Sequence, residues 1–295
     1  MAENVETVIH KPVMHKSDLL GNHIKSLEAN YNFKIPSDKP FIVRLDGHRF
    51  SKFTKNLKKP MDKNFVKCMV ETAKDLTREF LAVTAFVESD EITLAFPSVI
   101  ADAGERNHIY GGRVLKICSL TAGYASTRFN YHVGSLALEC GELTAFGREA
   151  LDDKMETGKA YFDARIFSCN SDEDAMNAVY WRFRDDTFRN GVNSLAQSVF
   201  SNDSFRNIIL YSLHKKSLSQ VIGMLKEQDI HLENQDSHLL YGTFVKRKIV
   251  KLEAFDKFLK KEIVVDRTIV HADHINLCKM ENDAERIKFV LSKYW

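Results

Sequence analysis

Two short acidic stretches carry most of the chemistry in this chain: Val43-Arg44-Leu45-Asp46-Gly47 and Glu88-Ser89-Asp90-Glu91. Each sits where an apolar, β-prone run ends. Phe41, Ile42 and Val43 lead into Asp46-Gly47. Val83 to Val87 lead into the second stretch, and Ile92 to Phe96 resume after it as the return strand of a hairpin. A carboxylate at the end of a buried strand is costly unless something cationic receives it. Two carboxylates at one sheet edge make a seat for Mg²⁺, which takes oxygen ligands and binds through one or two carboxylates plus substrate phosphates.

The elements between them bring the two stretches together. Residues 62–80 read as an amphipathic helix, with Phe65, Val66, Met69, Val70, Ala73, Leu76 and Phe80 at helical spacing and Asp62, after Pro60, as N-cap. Strand, helix, strand is a crossover that leaves its two strands parallel, so Asp46 and Asp90 are expected on one edge. A further helix over 112–130 and a strand over 161–167 complete a β-α-β-β-α-β order. The fold class is α+β, ferredoxin-like, the scaffold of the polymerase and cyclase palm.

The residues resemble the tRNA-His guanylyltransferase family, including guanylyltransferase-like relatives that add nucleotides in the 3′-to-5′ direction. The resemblance rests on Arg44-Leu45-Asp46-Gly47-His48-Arg49-Phe50, Lys59-Pro60 and Ser89-Asp90-Glu91. It continues through Arg113 and Lys116, then Trp181-Arg182, Asp185, Asn190 and Asn193, and spans residues 41–200. One departure stands out. Eukaryotic members carry His-Ile-Asn-Asn-Leu-Tyr-Asn-Thr, associated with tRNA recognition. Here the stretch is Thr187-Phe188-Arg189-Asn190-Gly191-Val192-Asn193-Ser194, keeping only the two asparagines. His274-Ile275-Asn276-Leu277 echoes that motif but lies out of order.

The resemblance implies two Mg²⁺ ions held by Asp46, Asp90 and the Gly47 carbonyl, with both aspartates catalytic. It also implies a triphosphate of ATP, GTP or another NTP at Gly47, His48, Arg49, Phe50, Lys59, Ser89, Arg113 and Lys116. His48 reads as a positioning residue, and Glu91 as a supporting carboxylate behind the ligands. Arg182, Arg189, Asn190 and Asn193 are the candidate RNA contacts. Gly47 has a physical reason too, since a side chain would hinder backbone approach to a triphosphate, and the amides of Gly47 to Phe50 are expected to form an anion nest. No Walker loop is present. The function implied is 3′-to-5′ nucleotide addition to the 5′ end of tRNA, as template-directed repair after 5′ activation. The alternatives are G addition to tRNA-His at position −1, a palm-type nucleotide cyclase, and a non-catalytic RNA-binding module. The family also implies a homo-oligomer, a tetramer.

The chain has 295 residues, 44% of them hydrophobic, and a formal charge of only +2. RNA binding would therefore need local patches. The candidates are Lys52, Lys55, Lys58, Lys59 and Lys63; Arg182, Arg184 and Arg189; and Lys246, Arg247, Lys248 and Lys251. No run approaches the roughly 20 apolar residues of a membrane span, and the N-terminus lacks a signal pattern. Cys68, Cys118, Cys140, Cys169 and Cys278 form no C-x-x-C pair, which points to a reducing cytoplasm. His271, His274 and Cys278 have a spacing a transition metal could use, but no fourth ligand is evident. The expected division is a catalytic palm with an N-terminal extension over 1–169 and a mainly helical, RNA-binding region over 170–295. Helices are expected at 172–183, 193–200, 217–228 and 252–260. A polar connector is expected at 140–158.

Overall fold

The structure, a computed structural model, describes residues 16–55, 57–99, 107–139, 160–200, 216–258 and 260–295. The 140–158 connector lies outside these residues. The chain follows the expected order through strand β1 (Phe41–Gly47), a short helix α2 (Phe50–Phe53), helix α3 (Lys63–Glu79) and the hairpin β2 (Thr84–Glu88) and β3 (Glu91–Phe96). Helix α1 (Lys16–Ala29) precedes them; α4 (Val114–Glu139) and β4 (Phe162–Ser168) follow. Strands β1 and β2 both pair antiparallel with β3, which lies between them. They are thus parallel to each other, as the crossover requires.

Local chemistry sets these boundaries. Asp62 caps α3 by accepting from the amides of Asn64 at 2.9 Å and Phe65 at 3.2 Å, worth about 1 kcal/mol. Helix α4 begins at Val114 because Gly111 and Gly112 sit at φ 64° and 71°, outside helical space. The buried face of α3, through Phe65, Met69, Ala73 and Leu76, packs with Phe129 of α4 on Val43, Leu45, Val87 and Leu94.

The second half corrects the expected helical character in one place. After α5 (Asp172–Trp181), a π-helical turn (Arg182–Thr187) and α6 (Phe188–Phe200), helices α7 (Leu218–Glu227) and α8 (Ser237–Tyr241) follow. The described residues of 252–260, read as helix, instead belong to a long hairpin of β5 (Thr243–Asp256) and β6 (Lys261–Asp273) and its turn. The run Lys248 to Phe255 alternates in a way that suits a strand as well as a helix, and pairing with β6 decides it. Strand β5 pairs with β2, so the sheet has six strands in the order β4-β1-β3-β2-β5-β6. Its opposite face is covered by α5 and α9 (Asp283–Leu291) over Ile42, Phe86, Ala95 and Phe244. Among the described residues no helix is long and apolar enough to cross a membrane.

Candidate functional site

The ends of β1 and of the β2–β3 hairpin meet as the topology demands. The Gly47 amide donates to the Asp90 carbonyl at 3.0 Å, tying the two acidic stretches together. Burial, and then the nearby charge of Asp46, push the Asp90 carboxyl above its ordinary value. Two carboxylates brought together at one edge form a donor set suited to a hard divalent cation. Arg165 approaches Asp46 at 3.8 Å and Asp163 at 3.7 Å, from β4. Sequence reasoning missed Asp163 and Arg165, since only the β1–β4 register sets Asp163 opposite Asp46. Among the described residues no three His, Cys, Asp or Glu side chains converge on one point. Asp46, Asp90 and the Gly47 carbonyl are the oxygen donors at this corner.

The expected anion nest is shifted along the chain. The Gly47 amide is taken by Asp90, and the His48 amide donates to Tyr161 at 2.9 Å. The amides of Arg49, Phe50 and Ser51, at the start of α2, have no acceptor among the described residues. Arg49 reaches this turn at φ 57°. Gly47 is needed for a different reason from the expected one: a Cβ there would meet the Phe50 ring at 2.5 Å. Phe50 is buried among Phe53, Phe65, Phe129 and Phe162. It offers a ligand its backbone only. His48 stacks on Tyr161 at 4.8 Å.

Beneath the corner lies a buried charge network. In the register Glu91 faces Asp46 across β1 and β3, and Glu88 faces Glu91 across β2 and β3. Arg182, from the π-helical turn, pairs with Glu91 at 3.2 Å, Glu88 at 3.9 Å and Asp186; Arg44 pairs with Glu91 at 3.6 Å. Burial pushes Glu88 up to about 8 and Glu91 up to about 7. Thr187 bonds both the Glu88 carboxyl and the Arg182 carbonyl, the latter at 2.8 Å. One hydroxyl has one proton. A protonated Glu88 donating to Thr187, with Thr187 donating to the carbonyl, satisfies both bonds. Arg182, a candidate RNA contact by sequence, is here paired with carboxylates inside the protein, and Thr187, 4% exposed, supports the hairpin.

A cleft enclosing about 730 Å³, its open mouth included, adjoins the corner. Lys59, Pro60, Met61 and Phe65 form one wall; Glu88 and Ser89 the hairpin side; Asn190, Gly191, Ser194 and His238 the other wall. Lys59 holds the Thr54 carbonyl at 3.1 Å, and Ser89 donates to Asp90 at 3.1 Å. Gly191 lets α6 approach the next element, since a Cβ there would lie 2.1 Å from the Leu239 carbonyl.

Other expected residues are placed elsewhere. Arg113 and Lys116 start α4, where Arg113 bridges Lys34 and the Gly112 carbonyl accepts from Ile35. That is the Phe41 end of the sheet, on the order of 15–20 Å along the strand from Asp46. The structure does not bring them to the corner within one chain. Arg189 is exposed and pairs with Asp186 at 2.6 Å; Asn193 is half-buried on α6. In the third basic patch, Lys246 and Arg247 are buried and hold carbonyls of the C-terminal segment and of α3 and its following loop. His271, His274 and Cys278 go to separate partners: the Trp295 ring, the Gly242 carbonyl and the Tyr180 hydroxyl.

Comparison with known proteins adds an independent line. A profile of the family described as Thg1, tRNAHis guanylyltransferase, matches residues 21–170, half of the chain. An uncharacterized protein, R259, of Acanthamoeba polyphaga mimivirus is 30% identical over 99% of this chain and 93% of its own. Among solved structures, a bacterial tRNA(His) guanylyltransferase (Thg1)-like protein in complex with ATP aligns over 92% of this chain and 98% of its own, at a TM-score of 0.66 and 22% identity. The bacterial Thg1-like protein in complex with GTP aligns at a TM-score of 0.64 and 22% identity, over 92% and 99% of the two chains. The tRNA(His) guanylyltransferase of Saccharomyces cerevisiae aligns at 0.60 and 21% identity, over 79% and 91%. At these identities the structures establish a shared fold.

Proposed function

The chain belongs to the tRNA-His guanylyltransferase family, a family of tRNA nucleotidyltransferases, and we propose that it adds nucleotides in the 3′-to-5′ direction to the 5′ end of a tRNA, in template-directed repair. The observation that carries the reading is the joining of Asp46-Gly47 to Asp90 beside three open amides and an adjoining cleft. Asp46, Asp90 and the Gly47 carbonyl would hold Mg²⁺, two ions in this reading. Bound there, Mg²⁺ supplies charge neutralisation and a lowered pKa for an attacking hydroxyl.

The residues of the chain do the rest. The amides of Arg49, Phe50 and Ser51 receive phosphate oxygens at a helix start, with Ser89 and Lys59 on either side. The cleft takes the ribose and base, as the bacterial relative's ATP and GTP complexes encourage. A 5′-monophosphate end attacks the α-phosphate of ATP or GTP, giving a nucleotidylated end and pyrophosphate. The 3′-hydroxyl of an incoming NTP then attacks the activated phosphate and releases the nucleoside monophosphate. A 5′-triphosphate end skips the first step.

Repair is favoured over G addition at position −1 because Thr187, which stands where the eukaryotic motif has His, faces inward. Thr187 binds Glu88, Gly191 packs on Leu239, and Ser194 donates to Pro60 at 3.1 Å. With that His missing from the surface, base pairing supplies the selectivity. The test is a panel of full-length and 5′-truncated tRNAs with each NTP supplied singly. Faster addition to truncated tRNAs of several identities, matched to the opposing base, supports repair. Faster G addition to intact tRNA-His, indifferent to that base, replaces repair by the guanylyltransferase reading.

A further inference from the structure

The wall of the cleft holds one buried polar atom with nothing to bond. His238, at the start of α8, is 4% exposed, and its Nε2 has no hydrogen-bond partner among the described residues. The other ring nitrogen is engaged: Nδ1 lies 2.7 Å from the Thr243 hydroxyl. Thr243 in turn lies 3.2 Å from His274 Nδ1, which is 2.8 Å from the Gly242 carbonyl.

Proton counting fixes the His274 end of this relay. A carbonyl only accepts, so His274 carries its proton on Nδ1 and gives it to Gly242. The Thr243 hydroxyl is then free to donate to His238 Nδ1. With Thr243 donating in this way, His238 bears its single proton on Nε2, and burial, which pushes its pKa down to about 4, keeps the ring neutral. Thr243 and His274 line a separate groove with Asp236 and Asp273, whereas His238 also lines the cleft beside Asn190 and Gly191. His238 is the member of this relay shared by the groove and the cleft.

We propose that His238 is a specificity-determining residue of this cleft, donating from Nε2 to a ring-nitrogen acceptor of the purine base of a bound nucleoside triphosphate. Thr243 and His274 are positioning residues that fix its tautomer. The inference rests on the cleft being the nucleotide site. A buried donor left unpaired is costly, and an acceptor that satisfies it is selected over an analogue without one. Both adenine and guanine offer such nitrogens, so the relay selects purines as a class. The apolar side chains of Leu57, Met61, Phe65 and Leu239 around the cleft suit a planar base.

The test is equilibrium binding of ATP, 1-deaza-, 3-deaza- and 7-deaza-ATP and inorganic tripolyphosphate to the full chain and to His238→Phe and His238→Gln. One deaza analogue should bind the parent protein about tenfold more weakly than ATP. That difference should vanish in His238→Phe and largely return in His238→Gln, which keeps a side-chain N–H. Tripolyphosphate affinity should be the same in all three proteins. If every deaza analogue binds like ATP, or the difference persists in His238→Phe, the assignment is overturned. A parent protein that binds tripolyphosphate but treats ATP no better loses the His238 inference while the phosphate corner stands. Binding of neither removes the nucleotide reading itself. Should His238→Phe not fold, Thr243→Val reads the same relay: it frees the tautomer and should shrink the deaza difference at least threefold, and an undiminished difference overturns the proposal.

Discussion

Asp46 and Glu91 sit directly opposite each other on β1 and β3, yet their surroundings give them different work. Glu91 is held between two guanidinium groups, which leaves it little capacity for a further cation. Among the described residues Asp46 has only Arg165 as an ion-pair partner, at 3.8 Å on an exposed side chain, so its charge remains available. Asp46→Ala and Asp90→Ala should each cut nucleotide addition by at least about a thousandfold, with melting temperature unchanged within error; near-parental turnover in Mg²⁺ would remove the ligand assignment. Glu88 gives a prediction of opposite character. Unfolded, its carboxyl loses its proton near 4.5; folded, it keeps it to about 8. Between those values the folded state binds more protons, so stability falls as pH rises through this window. Glu88→Gln keeps the shape and a donor for Thr187 but cannot ionise. Its melting temperature relative to the parent, measured without metal, should therefore rise steadily from pH 5 to pH 8. A difference flat in pH would mean that Glu88 is ionised in the folded protein.

The elements that frame the corner were legible because each has its own local signal. Asp62 caps α3, the apolar stripe from Phe65 to Leu76 marks its face, and the two β-prone runs end in acidic turns. What escaped the sequence depends on contacts between distant segments. Alternation in residues 248–255 suits a strand only once β6 lies beside it. The Arg182 cation reads as an RNA contact from sequence, and only the fold sets three carboxylates, from β2, β3 and its own turn, around it. Lys246 and Arg247 read as a basic patch until burial puts their charges on carbonyls of other elements. Gly191 was visible only as a departure from the eukaryotic motif, and its reason is the close passage of α6 over α8. Gly191→Ala, with its new Cβ 2.1 Å from a backbone carbonyl that cannot swing aside, should destabilise the protein by roughly 1–3 kcal/mol. Since α6 forms a cleft wall, the same variant should also weaken ATP binding. Denaturant titration and nucleotide binding check the two effects, and a neutral result in both would place the helices farther apart than described.

At the scale of the whole molecule, the corner depends on chain far from it in sequence. The division expected at 169/170 falls between β4 and α5, but α5 packs on the same sheet and β5 extends it beyond β2. Lys246 fastens this arrangement: its ammonium, 0% exposed, donates to the Thr84 hydroxyl at 2.8 Å and to the carbonyls of Phe289 and Ser292. Thr84 itself donates to the Val290 carbonyl at 2.6 Å, so β2, β5 and α9 meet at one cation. Burial draws the ammonium down to about 7, while three acceptors for three protons favour keeping it charged. Lys246→Met would fill most of the space but leave two carbonyls without their donor. A loss of about 2–4 kcal/mol is expected, with unfolding still a single transition. Truncation after Gly242 goes further, because it strips the sheet of β5, exposes the β2 edge and uncovers Phe86 and Ala95, over which α9 packs. Residues 1–242 should therefore fail to give a cooperative thermal transition and should not bind ATP, although every candidate ligand at the corner is retained. A truncated protein that melts cooperatively and binds ATP like the full chain would show that the palm folds independently of its C-terminal strands.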